Sequence, residues 1–291
     1  MKQKDFSQQR NFGCLEDKYS RFETSKVVVL PVPYDATTDW HTGSREGPRA
    51  IIDASAYLEF YDAELDREIH EVGIHTLPEL EPVTSGPKQM VQRVYRSVKS
   101  LIEADKLPLM LGGEHSLSSG AVRAFKEKYP NLSVLQLDAH ADLRDSYLGS
   151  KFSHASAMRR VVEICPAVQV GIRSFSAEEA EFIKKAKPTI FHAQDRPFSG
   201  ATIDKIVSAL SDEVYITVDV DVFDPSIMSA VSNPEPGGMQ WYEALDILRK
   251  VSQKKHIVGF DVLELCPDQG PAACAFLAAK LAYKMIGYAT E

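Results

Sequence analysis

Along almost the whole chain, short apolar runs rich in β-branched residues alternate with longer stretches in which apolar positions recur every three or four residues. The runs at 26–32 (KVVVLPV), 107–111 (LPLML), 214–218 (VYITV) and 257–262 (IVGFDV), and the run that ends at Leu137, have the pattern of strands covered on both faces. Shorter strands are expected at 69–74, 168–170 and 189–191. The stretch 85–103 carries Met90, Val91, Val94, Val98, Leu101 and Ile102 on one helical stripe. Further helices are expected from Pro48 to about residue 60, from a Ser116 cap to Phe125, and over 153–160, 177–185, 203–210, 241–251 and 272–286. Strands and helices alternating in this way predict a mainly parallel sheet with helices on both faces, an α/β fold of the three-layer αβα sandwich type. The 291-residue chain is read as one large domain over 26–291 after an N-terminal extension at 1–25.

The polar residues that interrupt this pattern gather where strands end. Asp138-Ala139-His140-Ala141-Asp142 follows directly on the strand ending at Leu137, and if the extended backbone continued, Asp138, His140 and Asp142 would line one side. Alone, such a string is as well explained by hydrogen-bonded polar side chains at a strand end. His115 follows another strand, however, and Asp219 and Asp221 a third, and ligands of parallel sheets bind at the carboxyl ends of the strands. Four aspartates and two histidines bring up to four negative charges, which two divalent cations would balance. Carboxylate-rich coordination with one histidine per ion suits manganese, whereas zinc more often takes thiolates or several histidines. Two such ions lower the pKa of a shared water, so the chemistry expected is hydrolysis. Glu264, beyond a further strand, could present a carboxylate to a guanidinium group, although a lone glutamate there is more often an exposed or capping residue.

Composition narrows the partners. Hydrophobic residues at 44% and charged residues at 25% fit a globular protein and exclude a disordered one. A net charge of −8 argues against nucleic acid and favours a cationic small molecule. No run of 18 apolar residues occurs, so no membrane span is expected, and residues 1–10 lack the apolar core of a secretory signal. Cys14, Cys165, Cys266 and Cys274 have no C-x-x-C spacing, which predicts reduced thiols in a cytoplasmic protein.

Taken in order, Gly112-Gly113-Glu114-His115-Ser116, Asp138-Ala139-His140-Ala141-Asp142, Ser153-His154-Ala155-Ser156, Val218-Asp219-Val220-Asp221, Pro234-Glu235-Pro236-Gly237-Gly238 and Asp261-Val262-Leu263-Glu264 resemble the ureohydrolase family of arginases and agmatinases. The resemblance implies an arginase/deacetylase-like sandwich and two manganese ions held by His115, Asp138, His140, Asp142, Asp219 and Asp221, with some aspartates bridging. It also implies catalytic duties for His154, Glu264 and Asp142: His154 passing a proton to the leaving amine and Glu264 orienting the guanidinium. The implied reaction is attack of metal-bridging hydroxide on a guanidino compound to give urea and an amine, in a homotrimer or homohexamer. The loop 143–152 does not match the Asn- and Ser-containing loop of arginases and looks more like that of agmatinases and aminopropylagmatine hydrolases, so agmatine, giving putrescine, is the substrate expected. Aminopropylagmatine and guanidinobutyrate are the alternatives. The chain departs from the family at Glu114, where many relatives carry Asp. It departs again at 228–233, where Met228 through Asn233 replace a loop with Pro-Gly and Gly-Thr and are expected to border the pocket, changing its specificity or closing it to catalysis. A dinuclear phosphoesterase is a further reading, disfavoured by the lack of an evident basic clamp.

Overall fold

The computed structural model describes residues 10–198 and 200–291. Residues 1–9, which include most of the segment read as lacking a secretory signal, lie outside the described residues. Eight strands form one parallel sheet: β1 (Val27–Val32), β4 (Ile74–Thr76), β5 (Leu107–Gly112), β6 (Ser133–Leu137), β7 (Ala167–Ile172), β8 (Thr189–His192), β9 (Glu213–Asp219) and β10 (His256–Leu263). Their spatial order is β4-β1-β5-β10-β9-β6-β7-β8. A separate antiparallel hairpin pairs β2 (Tyr61–Asp62) with β3 (Arg67–Glu68).

The long apolar runs behave as their composition demands, β1, β5, β6, β7, β9 and β10 burying both alternations, while the outer strands β4 and β8 are only partly buried. Val27 and Val29 join Leu109, Leu135, Val168, Ile216 and Phe260 in one core, and Val28 and Leu30 join Met110, Val134 and Tyr215 in the other. The first core is closed by α2 (Gly47–Ser55), α7 (Gly200–Ser208), α8 (Trp241–Ser252) and α9 (Ala272–Ala289); the second by α3 (Pro87–Glu103), α4 (Ser118–Lys128), α5 (Ala157–Val162) and α6 (Ala177–Ala186). The short α1 (Asp17–Ser20) precedes β1, and the nearby Phe12 and Leu15 are buried. The result is the three-layer αβα sandwich expected from the alternation. Among the described residues, no helix is long and apolar enough to cross a membrane.

Several element boundaries differ from the pattern. The segment expected as a strand at 69–74 is a 3-10 turn, Ile69–Val72, and the strand begins only at Ile74. Gly73 separates them with a φ of +79°, and a Cβ there would lie 2.7 Å from the Ser25 Cα, so only glycine turns the chain here. The helix begun at Pro48 ends at Ser55, where the Ser55 hydroxyl accepts the Gly13 amide at 2.7 Å and the chain leaves for the hairpin. Ser116 does not cap α4: its hydroxyl donates to Glu114 Oε1 at 2.5 Å, inside the turn His115–Leu117. The stretch 153–160 likewise opens with a turn, His154–Ser156, before α5.

The strand order places the site. β5 and β6 are consecutive in the chain, yet β10 and β9, added last, lie between them in the sheet. The connection through α4 therefore opens a crevice over the carboxyl ends of β5, β10, β9 and β6, the position where such sheets bind ligands.

Candidate metal centre

Each of those four strands ends in a side chain of the site. β5 ends at Gly112 and leads into Gly113, where the backbone of Tyr34 comes so close that a Cβ would lie 1.9 Å from its carbonyl oxygen, and then His115. Asp138 follows β6, Asp219 closes β9, and Asp221 lies in the next turn, its amide donating to Asp219 Oδ1 at 2.9 Å. His115 Nδ1 is 3.0 Å from Asp138 Oδ2, 3.1 Å from Asp142 Oδ2 and 3.6 Å from Asp219 Oδ2. His140 Nδ1 is 2.7 Å from Asp221 Oδ2 and 3.9 Å from Asp138 Oδ1. Two overlapping groups result, His115 with Asp138 and Asp219, and Asp138 with His140 and Asp221, each with donor atoms within 4.8 Å of one another. Asp138 belongs to both.

The six side chains thus converge, but not as a row on one face of an extended strand. β6 stops at Leu137, the His140 amide turns back to Asp138 Oδ1 at 2.5 Å, and Asp142 has a left-handed φ of 52°. This departure sends Asp138 and Asp142 toward His115 and His140 toward Asp221. A left-handed aspartate costs about 1–3 kcal/mol and persists only where its surroundings hold it. Here the Asp142 carbonyl accepts the Arg159 amide at 2.9 Å and the Leu143 amide donates to Glu179 Oε1 at 2.9 Å.

The cluster is short of positive charge. Burial, and then the charge of Asp221, pushes the Asp138 carboxyl up to about 7. Burial and the neighbouring carboxylates push Asp219 well above the usual range. Burial alone would lower both imidazoles, yet His115 is driven well above its ordinary value by Asp138 and Asp142, and His140 to about 10 chiefly by Asp221. Burial would also raise Asp221, but His140 and the Ala139 amide bring it down to about 2. Of the described residues that line the cavity above the cluster, Arg144 is the one arginine or lysine, and it lies over the Tyr147 ring with its Nε 3.8 Å from Glu179.

The donor set fits divalent cations. His115 Nδ1 is buried with no hydrogen bond of its own, while Nε2 meets Thr217 Oγ1 at 3.0 Å. Ser118 Oγ gives its hydrogen to Asp261 Oδ2 at 2.8 Å and lies 3.1 Å from Thr217 Oγ1. With acceptors at Ser118 and Asp261 for its one hydrogen, the Thr217 hydroxyl is free to accept from Nε2–H, which leaves Nδ1 as the atom turned to a cation among the acids. Beneath Asp138, Gln136 Nε2 donates to its Oδ2 at 2.6 Å, and Gln169 holds Gln136 Oε1 at 2.5 Å. Arg173 clamps the neighbouring loop by donating to the carbonyls of Asp221 at 2.7 Å and Glu235 at 2.9 Å.

Above the cluster opens a cavity of about 300 Å³, whose walls include Asp39, Tyr147, His154, Phe175, Asn233 and Glu264. Glu264, left-handed at φ 64°, accepts the His115 amide through Oε1 at 2.6 Å, and its Oε2 is buried with no partner. His154 is held below its usual 6.5, chiefly by burial, and its ring stands edge-on to Tyr147. The loop 228–233 reaches the cavity only through Ser232 and Asn233. The Met228 side chain, expected to border the pocket, is instead fully buried in the core formed with α8 and α9. Sequence reasoning passed over Thr37, Gln136, Arg173 and Thr217. The available signal for two of them was a polar residue within a fully buried strand, Gln136 in β6 and Thr217 in β9.

Fold and site together describe a three-layer α/β protein with a candidate two-cation centre at the carboxyl edge of its sheet. The sequence profile of the Arginase family matches residues 25–287, and the chain belongs to that family, as a hydrolase of its agmatinase-like branch. It is 38% identical over 275 residues to the N(1)-aminopropylagmatine ureohydrolase of Synechocystis sp., covering 92% of this chain and 90% of that protein. It is 36% identical over 264 residues to the agmatinase of Pyrococcus horikoshii, covering 89% and 90%. The crystal structure of agmatine ureohydrolase of Thermoplasma volcanium superposes with a TM-score of 0.88 at 30% identity, covering 99% of this chain and 96% of the other.

Proposed function

We propose that the protein hydrolyses an amine-bearing guanidine, agmatine first, to urea and the corresponding amine, putrescine, using two manganese ions. The observation that carries this reading is the pair of overlapping donor groups sharing Asp138, with Glu264, whose buried Oε2 has no hydrogen-bond partner, among the residues lining the same cavity. His115, Asp138, Asp142 and Asp219 would hold one ion and Asp138, His140 and Asp221 the other. Bound there, the ions supply an activated water at neutral pH. Glu264 Oε2 lacks a donor and receives a guanidinium N–H, which fixes the guanidino carbon over the acids. His154 is neutral, takes up a proton at Nε2 and gives it to the amine nitrogen as that nitrogen leaves with the electron pair of its bond to carbon. N(1)-aminopropylagmatine is the second reading, supported by the name of the Synechocystis relative.

The test is urea release by manganese-loaded protein from agmatine, N(1)-aminopropylagmatine, guanidinobutyrate and arginine. The expected result is turnover of the first two and none of arginine. Absence of urea from every guanidine, with two metals per chain confirmed by elemental analysis, would overturn the reading.

A further inference from the structure

The histidine assigned to proton transfer is held from behind by a loop far away in sequence. Thr37, in the segment between β1 and α2, meets His154 twice: the His154 amide donates to Thr37 Oγ1 at 3.0 Å, and Nδ1 lies 3.2 Å from the same oxygen. Thr37 is in turn anchored to Glu114, its amide donating to Oε2 at 2.6 Å and its hydroxyl to Oε1 at 2.8 Å. Glu114 is fully buried, with Ser116 Oγ on Oε1 as well.

A threonine hydroxyl has one hydrogen and two lone pairs. The hydrogen goes to the Glu114 carboxylate, and the lone pairs are left for the His154 amide and for Nδ1. Nδ1 therefore has to arrive as a donor. In a neutral imidazole the nitrogen that carries the proton is set by the hydrogen bond the other environment imposes, and a donor at Nδ1 leaves Nε2 with the free pair. No hydrogen bond among the described residues engages Nε2, and the ring lines the cavity.

We propose that Thr37 is a positioning residue that locks His154 in its Nδ1–H form, so that Nε2 meets the substrate as a base, with Glu114 fixing the direction of the Thr37 hydroxyl. This rests on the reading of His154 as the proton carrier. It also gives Glu114 a task that its place beside His115 does not suggest: its carboxylate spans from the turn His115–Leu117 to the loop at Thr37, accepting from Thr37 and Ser116.

The experiment uses the full chain with ¹⁵N-labelled histidine and long-range proton–nitrogen spectra of the metal-free protein above pH 8, the His154 signals being identified by their loss in His154→Ala. The expected spectrum shows His154 protonated at Nδ1 in the native chain and in Thr37→Ser. In Thr37→Val, which keeps the shape and removes the hydroxyl, the proton is expected to move predominantly to Nε2. In manganese-loaded protein, Thr37→Val should lower kcat about tenfold to a hundredfold, a fraction of a general acid–base contribution. KM should stay within about twofold, and Thr37→Ser should restore the rate. An Nε2–H form in the native chain, or a slow Thr37→Val whose His154 keeps its native tautomer, would overturn the proposal. Undiminished turnover by His154→Ala would instead remove the proton-carrier reading, while the spectra still decide whether Thr37 sets the ring.

Discussion

Two charged clusters among the described residues, one at the sheet's carboxyl edge and one, partly exposed, at the hairpin, are built on opposite plans. At the hairpin, Lys284 of α9 donates to Asp62 Oδ1 at 2.9 Å and also binds Glu64, which receives Arg249 Nε at 3.4 Å and the Tyr288 hydroxyl at 2.7 Å. Each acid there has a cation of the chain's own. At the sheet edge, Asp138, Asp142, Asp219 and Asp221 surround two imidazoles with no lysine or arginine among them. The first cluster is complete and fastens α9 to the hairpin. The second has only its two imidazoles and the protonation of its own carboxyls to offset the acids, so a cation that joins it relieves like-charge repulsion. The difference sets a structural ion pair apart from a candidate binding site without reference to any relative.

Removing a member of each cluster should expose the difference. The largest effect is expected for His115→Ala, which takes away the buried Nδ1 directed at three acids. Metal content should fall below two per chain and urea release by about 10³-fold or more. A fully metallated, active variant would contradict the assignment. Glu264→Ala should retain both metals but lose roughly 10²-fold in kcat/KM, the scale of one charge-assisted hydrogen bond worth ~3 kcal/mol. Metal loss in this variant would show Glu264 to be supporting the centre rather than the substrate. Smaller again is Thr217→Val, which frees His115 Nε2: metal affinity measured by competition with a chelator should drop about 10- to 100-fold, as when the outer partner of a ligating histidine is removed.

Much of this arrangement was legible in the sequence because burial and chemistry speak locally there. Continuous apolar runs marked the sheet, and acids and histidines directly after them marked the edge that carries the candidate site. The hidden parts depend on contacts distant in sequence. Thr37 gains meaning only from His154 and Glu114, 117 and 77 positions away. The 69–74 run looked like a strand because its apolar content outweighs one glycine, and only the approach of Ser25 shows why Gly73 breaks it. Met228 shows that position in a loop does not set side-chain direction: its unbranched apolar side chain turns into the core with α8 and α9. The convergence of Asp138, His140 and Asp142 was anticipated, but by a geometry the backbone does not use.

The smallest effect is expected at the complete cluster, and it concerns pH rather than activity. Burial tends to raise the Asp62 carboxyl, but Lys284 and the Leu65 amide more than offset this and hold it below its ordinary 3.8. A carboxyl depressed by folding contributes stability that is fully present above its unfolded value and is lost as pH falls through the folded one. Asp62→Asn should therefore unfold more easily than the native chain at pH 7, by about 1.5–3 kcal/mol as for a hydrogen bond to a charged group. The two should converge in denaturant titrations carried below pH 4, where the native Asp62 takes up its proton. Metal content and urea release at pH 7 should be unchanged, since Lys284 and Glu64 remain paired and the sheet edge is not involved. A stability gap between the two proteins that persists at the lowest pH would mean that Asp62 contributes through hairpin geometry, its Oδ1 accepting the Glu64 and Leu65 amides at 3.1 Å each, rather than through its charge.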